Sequence, residues 1–331
     1  MNRIKNTWLT FIIMSLCATM SYSQTKLAQT GFNFLSLSSD ARSIGMGGAV
    51  NSLSGFSGAM ASNPASMAEM PSFLNATFDI NRWIADINYL SASVILSPAS
   101  GDYGSIGLSV QSVDYGNVEG TMVDGNNPNG YFETGNIAPT ALSVGLGYSK
   151  MINKQFGVGA RIKYANQSLG ESTFMNDQGD VTTKKNKANV IAFDFGTIYK
   201  TGIRSIVFGM SVTNFSGEIK YEQEAFQLPL LFSFGISANL FDLIDHPISN
   251  QEFLIAVDWT HPRSHPEQLK IGAEYTFMKL LSLRGGYVSG NDENSFVYGV
   301  GVSSFGFGVD YSYTPFGVFG NVQQVTVRVS L

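Results

Sequence analysis

From about residue 75 to the C-terminus this chain alternates apolar side chains with small or polar ones, a pattern that admits very few folds. Leu142, Val144, Leu146 and Tyr148 alternate with Ser143, Gly145, Gly147 and Ser149. Leu269, Ile271, Ala273, Tyr275 and Phe277 alternate with Lys270, Gly272, Glu274 and Thr276. At the end, Val325, Val327, Val329 and Leu331 alternate with Gln324, Thr326, Arg328 and Ser330. Successive residues of a strand point to opposite faces, so each segment has one greasy face and one polar face. The segments run to roughly 8 to 12 residues, the span a tilted strand needs to cross a bilayer. A soluble sandwich or propeller also alternates. Its strands are usually shorter, about 5 to 6 residues. Only 14% of this chain is charged, against about 25% in a typical soluble domain.

Fourteen segments can be centred, at Phe78, Ala92, Leu108, Val144, Ala160, Phe195, Phe208, Phe234, Val257, Ala273, Leu283, Val300, Val309 and Val327. The expected fold class is all-β: a transmembrane antiparallel β-barrel of about 14 strands, closed so that no backbone edge meets lipid. Connection lengths agree with barrel rules, which put short turns inside and long loops outside. The third (Asp114 to Ala138), fifth (Gly170 to Lys187) and seventh (Asn214 to Gln227) are long. The fourth, sixth, tenth (Met278 to Lys279) and twelfth (Ser303 to Ser304) are short, and the eighth (Phe241 to Gln251) breaks the parity. Trp83, Tyr89, Tyr148, Tyr164, Tyr199, Trp259 and Tyr313 fall where interfacial girdles are expected.

Residues 1–23 read as a secretory signal peptide. Arg3 and Lys5 precede the apolar run Trp8 to Cys17, and Ser21-Tyr22-Ser23 sets a cut before Gln24. A lipid-modified Cys17 fits less well, because Leu16 stands where a small residue is expected. Cys17 is the only cysteine, so the processed chain has no disulfide and no cysteine metal site. A net charge of −5 with no basic stripe gives no reason to expect nucleic acid as a partner.

Residues 24–74 do not alternate. They are rich in small residues and carry little charge, which suits a plug or hatch inside the barrel occupying residues 75–331. Asn63 before Pro64 predicts a turn, with Pro64 opening a short helix over Ala65 to Met70. Gly45-x-Gly47-Gly48 lacks the lysine and the strand–turn–helix setting of a phosphate loop.

Three motifs stand here in order: Phe34-Leu35 through Ser39-Asp40-Ala41-Arg42, then Gly45-Met46-Gly47-Gly48-Ala49, then Asn63-Pro64-Ala65. Together they resemble the N-terminal signature of the PorV/PorQ family, within the FadL-like group of outer-membrane proteins. The resemblance implies a bacterial outer-membrane barrel in which this segment, including Asp40 to Arg42, Gly45 to Gly48 and Asn63 to Ala65, forms the hatch. It implies an accessory role in type IX secretion, as a shuttle or anchor, with secretion-system or cargo proteins as partners beside outer-membrane lipid. The alternative it leaves is a FadL-like transporter with a hydrophobic ligand such as a long-chain fatty acid. It implies no cofactor and no enzymatic activity. An aromatic C-terminus is common in such barrels, whereas this chain ends in Leu331.

The remaining polar groups divide in two. His261 and His265, the carboxylates Glu222, Glu224, Asp292 and Glu293, and His246 fall in expected loops and read as solvated. Arg161, Lys163, Glu274, Arg284, Asp310 and Arg328 fall on the polar faces of strands. A lipid-facing Arg or Lys costs about 2–4 kcal/mol at the midplane, so these six are expected to point into the lumen and pair there.

Overall fold

A computed structural model describes residues 30–331, except 126, 176–179, 222, 223, 245–247 and 291–294. The signal peptide, His246, Glu222, Asp292 and Glu293 therefore lie outside the described residues.

Fourteen antiparallel strands close into one barrel. In chain order they are β1 (Leu74–Arg82), β2 (Asn88–Leu96), β3 (Ser105–Asp114), then β6 (Thr140–Met151), β7 (Phe156–Met175), β8 (Val181–Lys200) and β9 (Val207–Phe215). They continue with β12 (Leu231–Asn239), β13 (Gln251–Pro262), β14 (Gln268–Phe277), β15 (Leu281–Val288), β16 (Phe296–Ser304), β17 (Phe307–Pro315) and β18 (Asn321–Ser330). β18 pairs with β1, and Leu74 and Leu331 exchange backbone hydrogen bonds of 2.9 and 2.8 Å at the seam. Each expected strand centre lies within one of these strands.

The two faces separate sharply. Leu108, Phe195 and Leu283 are 49%, 49% and 52% exposed, whereas Asp194 and Asp310 on the opposite face are fully buried. In a closed barrel the buried face is the inner one, so the exposed apolar band faces outward, toward hydrocarbon. No helix among the described residues is long and apolar enough to cross a membrane.

Three features depart from expectation. The fifth connection is not a loop from Gly170 to Lys187. β7 and β8 run on as a hairpin to Met175 and Val181, through a register shift at Ser168/Gly170. Thr173, Phe174, Val181, Thr182 and Thr183 favour strand, and Glu171 pairs with Lys185 across the ladder at 3.2 Å. The third connection holds its own hairpin, β4 (Val118–Val123) with β5 (Tyr131–Ile137), and the seventh holds β10 (Ile219–Lys220) with β11 (Ala225–Phe226). The twelfth turn is Phe305-Gly306, one step past Ser303-Ser304.

The aromatic girdle also needs correction. Tyr148, Tyr164, Tyr199 and Trp259 are exposed on the outer face and Tyr313 is partly so. Tyr89 is buried instead, because it shares the inward register of Ser91 and Ser93. Trp83 packs edge-on against Tyr89 and Phe316, with centroids 6.3 and 5.0 Å apart.

Replacing Leu283 with arginine should lower the folding free energy in a bilayer by about 2–4 kcal/mol. Urea titration of folding into lipid vesicles measures this, and an unchanged midpoint would contradict the outward placement of Leu283.

Candidate functional site

Several residues between Thr30 and Glu69 contact inward-facing groups of the strands. Thr30 bridges to Gln227 of the long seventh connection, and its hydroxyl reaches Ser264 of the ninth at 3.2 Å. At the short-turn end, Glu69 pairs with Lys200 of β8. Short pieces of helix fill the path: a one-turn α-helix at Ala41–Gly45 and 3-10 turns at Asn33–Ser36, Ser57–Ala61 and Pro64–Glu69. The last is the expected short helix opened by Pro64, in 3-10 form and one residue shorter at its end.

Asp40 starts the α-helical turn. Its carboxylate accepts from the Ser43 backbone N–H at 2.8 Å and the Ser43 hydroxyl at 2.6 Å, an N-cap that satisfies otherwise orphaned donors. The Ala41 N–H donates to Thr326 Oγ1 at 2.7 Å, and Thr326 in turn donates to Asp79. Arg42 grips Glu274 with two parallel bonds, 2.9 and 2.6 Å, and its guanidinium lies 4.5 Å over the Phe56 ring. Such a fork is the strong geometry for a buried carboxylate.

From Glu274 a charge ladder crosses the inner wall. Arg284 bonds Glu274 and reaches Asp310 at 2.7 Å, and Arg328 bonds Asp310 from β18. A second cluster lies on β7 and β8. Asp194 takes Arg161 at 2.6 Å, Lys163 at 2.8 Å and the Asn214 backbone N–H at 2.7 Å. Arg161 also donates to the carbonyl of Ala61 at 3.4 Å. All six strand charges singled out from the sequence thus belong to two buried networks, and each network touches the N-terminal segment.

The Asn-Pro-Ala motif is held differently. Asn63 accepts from Ala65 N–H at 3.0 Å and donates to the carbonyls of Asn51 at 2.7 Å and Thr197 at 3.1 Å. Asn51 donates to the carbonyls of Gly209 at 3.0 Å and Ser233 at 3.2 Å, and its own N–H reaches Asp258 at 2.9 Å. Pro64 and Ala65 lie directly over Gly159: a Cβ there would come within 2.5 Å of both. At Gly196 it would meet Asn63 Oδ1 at 1.9 Å, and at Gly286 the Gly47 nitrogen at 2.2 Å. Gly45 faces Gly299, Met46 faces Gly272, and Gly48 lies beside Lys270. Inward glycines therefore form a track into which the segment is set, and close backbone approach is what a missing Cβ allows.

Sequence reasoning missed Asp79, Asp194, Asn51, Asn214 and Asp258. Three of them carried a readable signal. Asp79 stands between Phe78 and Ile80, Asp194 between Phe193 and Phe195, and Asp258 between Val257 and Trp259, so alternation alone turns all three carboxylates inward. His261 and His265 do not converge. His261 pairs with Glu267 at 2.8 Å and His265 meets Ser264 at 2.9 Å. His261 and Pro262 close β13 and are not part of a loop. Among the described residues no group of three or more His, Cys, Asp or Glu side chains could hold a metal ion.

With this geometry in view, residues 131–330 match the family described as type IX secretion system membrane protein PorP/SprF. The chain belongs to the PorP/SprF family. It is an outer-membrane β-barrel of type IX secretion. The match lies within the barrel, whereas the motifs that resemble PorV/PorQ precede it. The two agree on type IX secretion, and the matched branch is PorP/SprF. No curated protein matches the chain. Among solved structures, the toluene transporter TodX of Pseudomonas putida superposes with a TM-score of 0.58 at 13% identity, over 92% of this chain and 98% of that one. The toluene transporter TbuX of Ralstonia pickettii gives 0.56 at 14%, over 88% and 96%. A FadL homologue of Pseudomonas aeruginosa gives 0.54 at 10%, over 88% and 98%. These identities establish a shared fold.

Glu274→Ala leaves Arg42 and Arg284 without their carboxylate and should cost about 3–5 kcal/mol, the usual penalty for breaking a buried pair. Gly196→Ala forces Asn63 aside and should cost about 1–3 kcal/mol. Urea midpoints of the refolded protein in lipid vesicles measure both, and losses no larger than those of an outward Val→Ala control would rule out the tight seating.

Proposed function

We propose that this protein is an accessory subunit of type IX secretion that works at the outer membrane by holding partner proteins, as an anchor or shuttle, with its lumen closed. The observation that carries the reading is the occupied interior of a barrel whose family is a secretion-system one. On this reading residues 24–74 are the plug, and Asp40 to Arg42, Gly45 to Gly48 and Asn63 to Ala65 are its fastenings. A conduit would need its wall charges facing water or solute. Here Arg161, Lys163, Glu274, Arg284, Asp310 and Arg328 are spent on each other and on the segment.

Partner contacts then fall to the outer connections, where function on barrels concentrates. The β4–β5 hairpin lies in the third connection, and the β7–β8 ladder runs on past Ser168, where the pairing of β7 with β6 ends. The removable signal over residues 1–23 delivers the chain to the envelope, and no catalytic step is assigned to it.

One observation favours a second reading, uptake of a hydrophobic solute. Phe32, Phe34, Tyr89, Val113, Ala165 and Leu228 form a buried apolar cluster near the long-connection end. A hydrophobic ligand entering there would have to displace Phe32 and Phe34.

Deleting the gene in its own host should reduce the surface delivery of proteins exported by type IX secretion, and the wild-type copy should restore it. Intact delivery combined with slowed uptake of long-chain fatty acid or toluene would overturn the accessory reading in favour of transport. In planar bilayers the purified protein should carry no steady ion current. Arg42→Glu, which sets like charges against each other at Glu274, should introduce current bursts. A steady current through the unaltered protein would sink the plug.

A further inference from the structure

β8 is paired unequally on its two sides. With β7 its ladder runs from Val181 to Tyr199. With β9 it runs only from Phe193 to Lys200. Residues 181–192 lie beyond the end of that ladder. β10 lies nearby but ladders only with β11. The wall strand thus runs past its β9 ladder at the outer end of the barrel.

The edge is built by named groups. The β8–β9 register shifts between Phe193 and Phe195, around Asp194. The Asp194 carboxylate turns inward to Arg161 and Lys163 and captures the backbone N–H of Asn214. Asn214 takes φ +64, a left-handed conformation that asparagine tolerates better than most residues. Its side chain is tied to the Pro229 carbonyl at 2.9 Å. A buried ion cluster therefore holds a bulge in β9 at Asn214, and the pairing resumes for one step at Phe193–Phe215 before β9 ends. A local irregularity held by buried charge is a fixed feature of the fold.

The side chains along the edge are of one sign. Residues 181–192 contain Lys184, Lys185 and Lys187 and no Asp or Glu. Lys185 and Lys187 are exposed, and the Lys185–Glu171 pair is solvent-screened and weak. Val181 and Ile191 are 56% and 55% exposed. Lysines on an edge strand keep like copies from pairing edge to edge. Lys185 and Lys187 favour an incoming strand that carries carboxylates, because main-chain bonding supplies affinity and alternate side chains supply selectivity.

We propose that residues 181–192 of β8 form a docking edge that an extended, acidic segment of a partner protein completes by adding a strand. This rests on the reading that the outer face holds partner proteins, and it specifies the kind of segment held. The partner is defined by chemistry: β-forming residues alternating with Asp or Glu, and no proline.

The test is hydrogen exchange, read by mass spectrometry, on the full-length protein in detergent. Two synthetic peptides serve as probes, one alternating Val or Thr with Glu and the other with Lys in place of Glu. In the free protein, amides of 181–192 on the open side should exchange faster than those of 195–199 in the same strand. The Glu peptide should slow them by about tenfold or more, and the Lys peptide should not. Lys185→Glu with Lys187→Glu, both at exposed positions, should reverse that preference while leaving exchange in 195–199 unchanged. Slow exchange in the free protein would mean that the seventh connection already covers the edge, and would overturn the proposal. So would protection that rises with protein concentration alone, which marks a second copy as occupant, or protection by neither peptide. If the peptides fail while gene deletion still blocks surface delivery, this edge is wrong and the accessory role stands.

Discussion

Hydrocarbon offers a peptide group nothing to bond with, and the rest of this structure follows from that. Each strand in the lipid band must find its backbone partners in neighbouring strands, so the sheet has to close, and β18 returns to β1. Closure creates an interior, and the two-residue period then decides what fills it. One face meets lipid and must be greasy. The other is sealed from lipid and can hold what lipid would reject. The inner wall accordingly carries two ion networks that would be costly on the outside.

Those networks are worth more as fasteners than as sources of stability. A buried ion pair regains little more than the cost of removing its charges from water, whereas breaking one leaves a charge stranded. Arg42, Glu274, Arg284, Asp310 and Arg328 form such an arrangement, and only Arg42 comes from the segment. Pulling the segment away would leave the wall with two carboxylates against two arginines, and Glu274 without its bidentate partner. The glycine track acts in the same direction by shape. Wall positions such as Gly159, Gly196 and Gly286 have no room for a methyl group because backbone atoms of the segment, or the Asn63 side chain, already occupy that space. The outer parts of β7 and β8 run past their ladders with β6 and β9, and on β8 this is where strand residues become lysines.

Much of this was legible in the residues and some was not, for physical reasons. Alternation placed all fourteen strands because period two is enforced by lipid on one side and packing on the other. It also turned Arg161, Lys163 and Glu274 inward before any partner was known. It could not say that Asp194 is the partner of the first two, since pairing depends on register between strands and register leaves little mark on a single sequence. The hairpin extension of β7 and β8 was hidden because its few apolar residues, such as Phe174 and Val181, do not alternate regularly with its polar ones. Outside the membrane no solvent contrast remains to imprint a period. Tyr89 lies near a strand end, where interfacial aromatics gather, but the register of β2 turns it inward. The fastenings of Asn51 and Asn63 were the least visible, since an amide among small residues gives no hint of which carbonyls it will meet.

Thr326 joins three parts of the molecule at one hydroxyl. It belongs to the last strand, it donates to Asp79 of the first, and it accepts from Ala41 of the segment that precedes both. The first and last strands meet only when the cylinder shuts. Shutting it therefore also docks the leading segment, and a nascent chain that zips up with that segment outside would lack the Ala41 end of this relay. One hydroxyl thereby ties the closing of the sheet to the seating of Ala41, so the beginning and the end of the fold meet at a single atom.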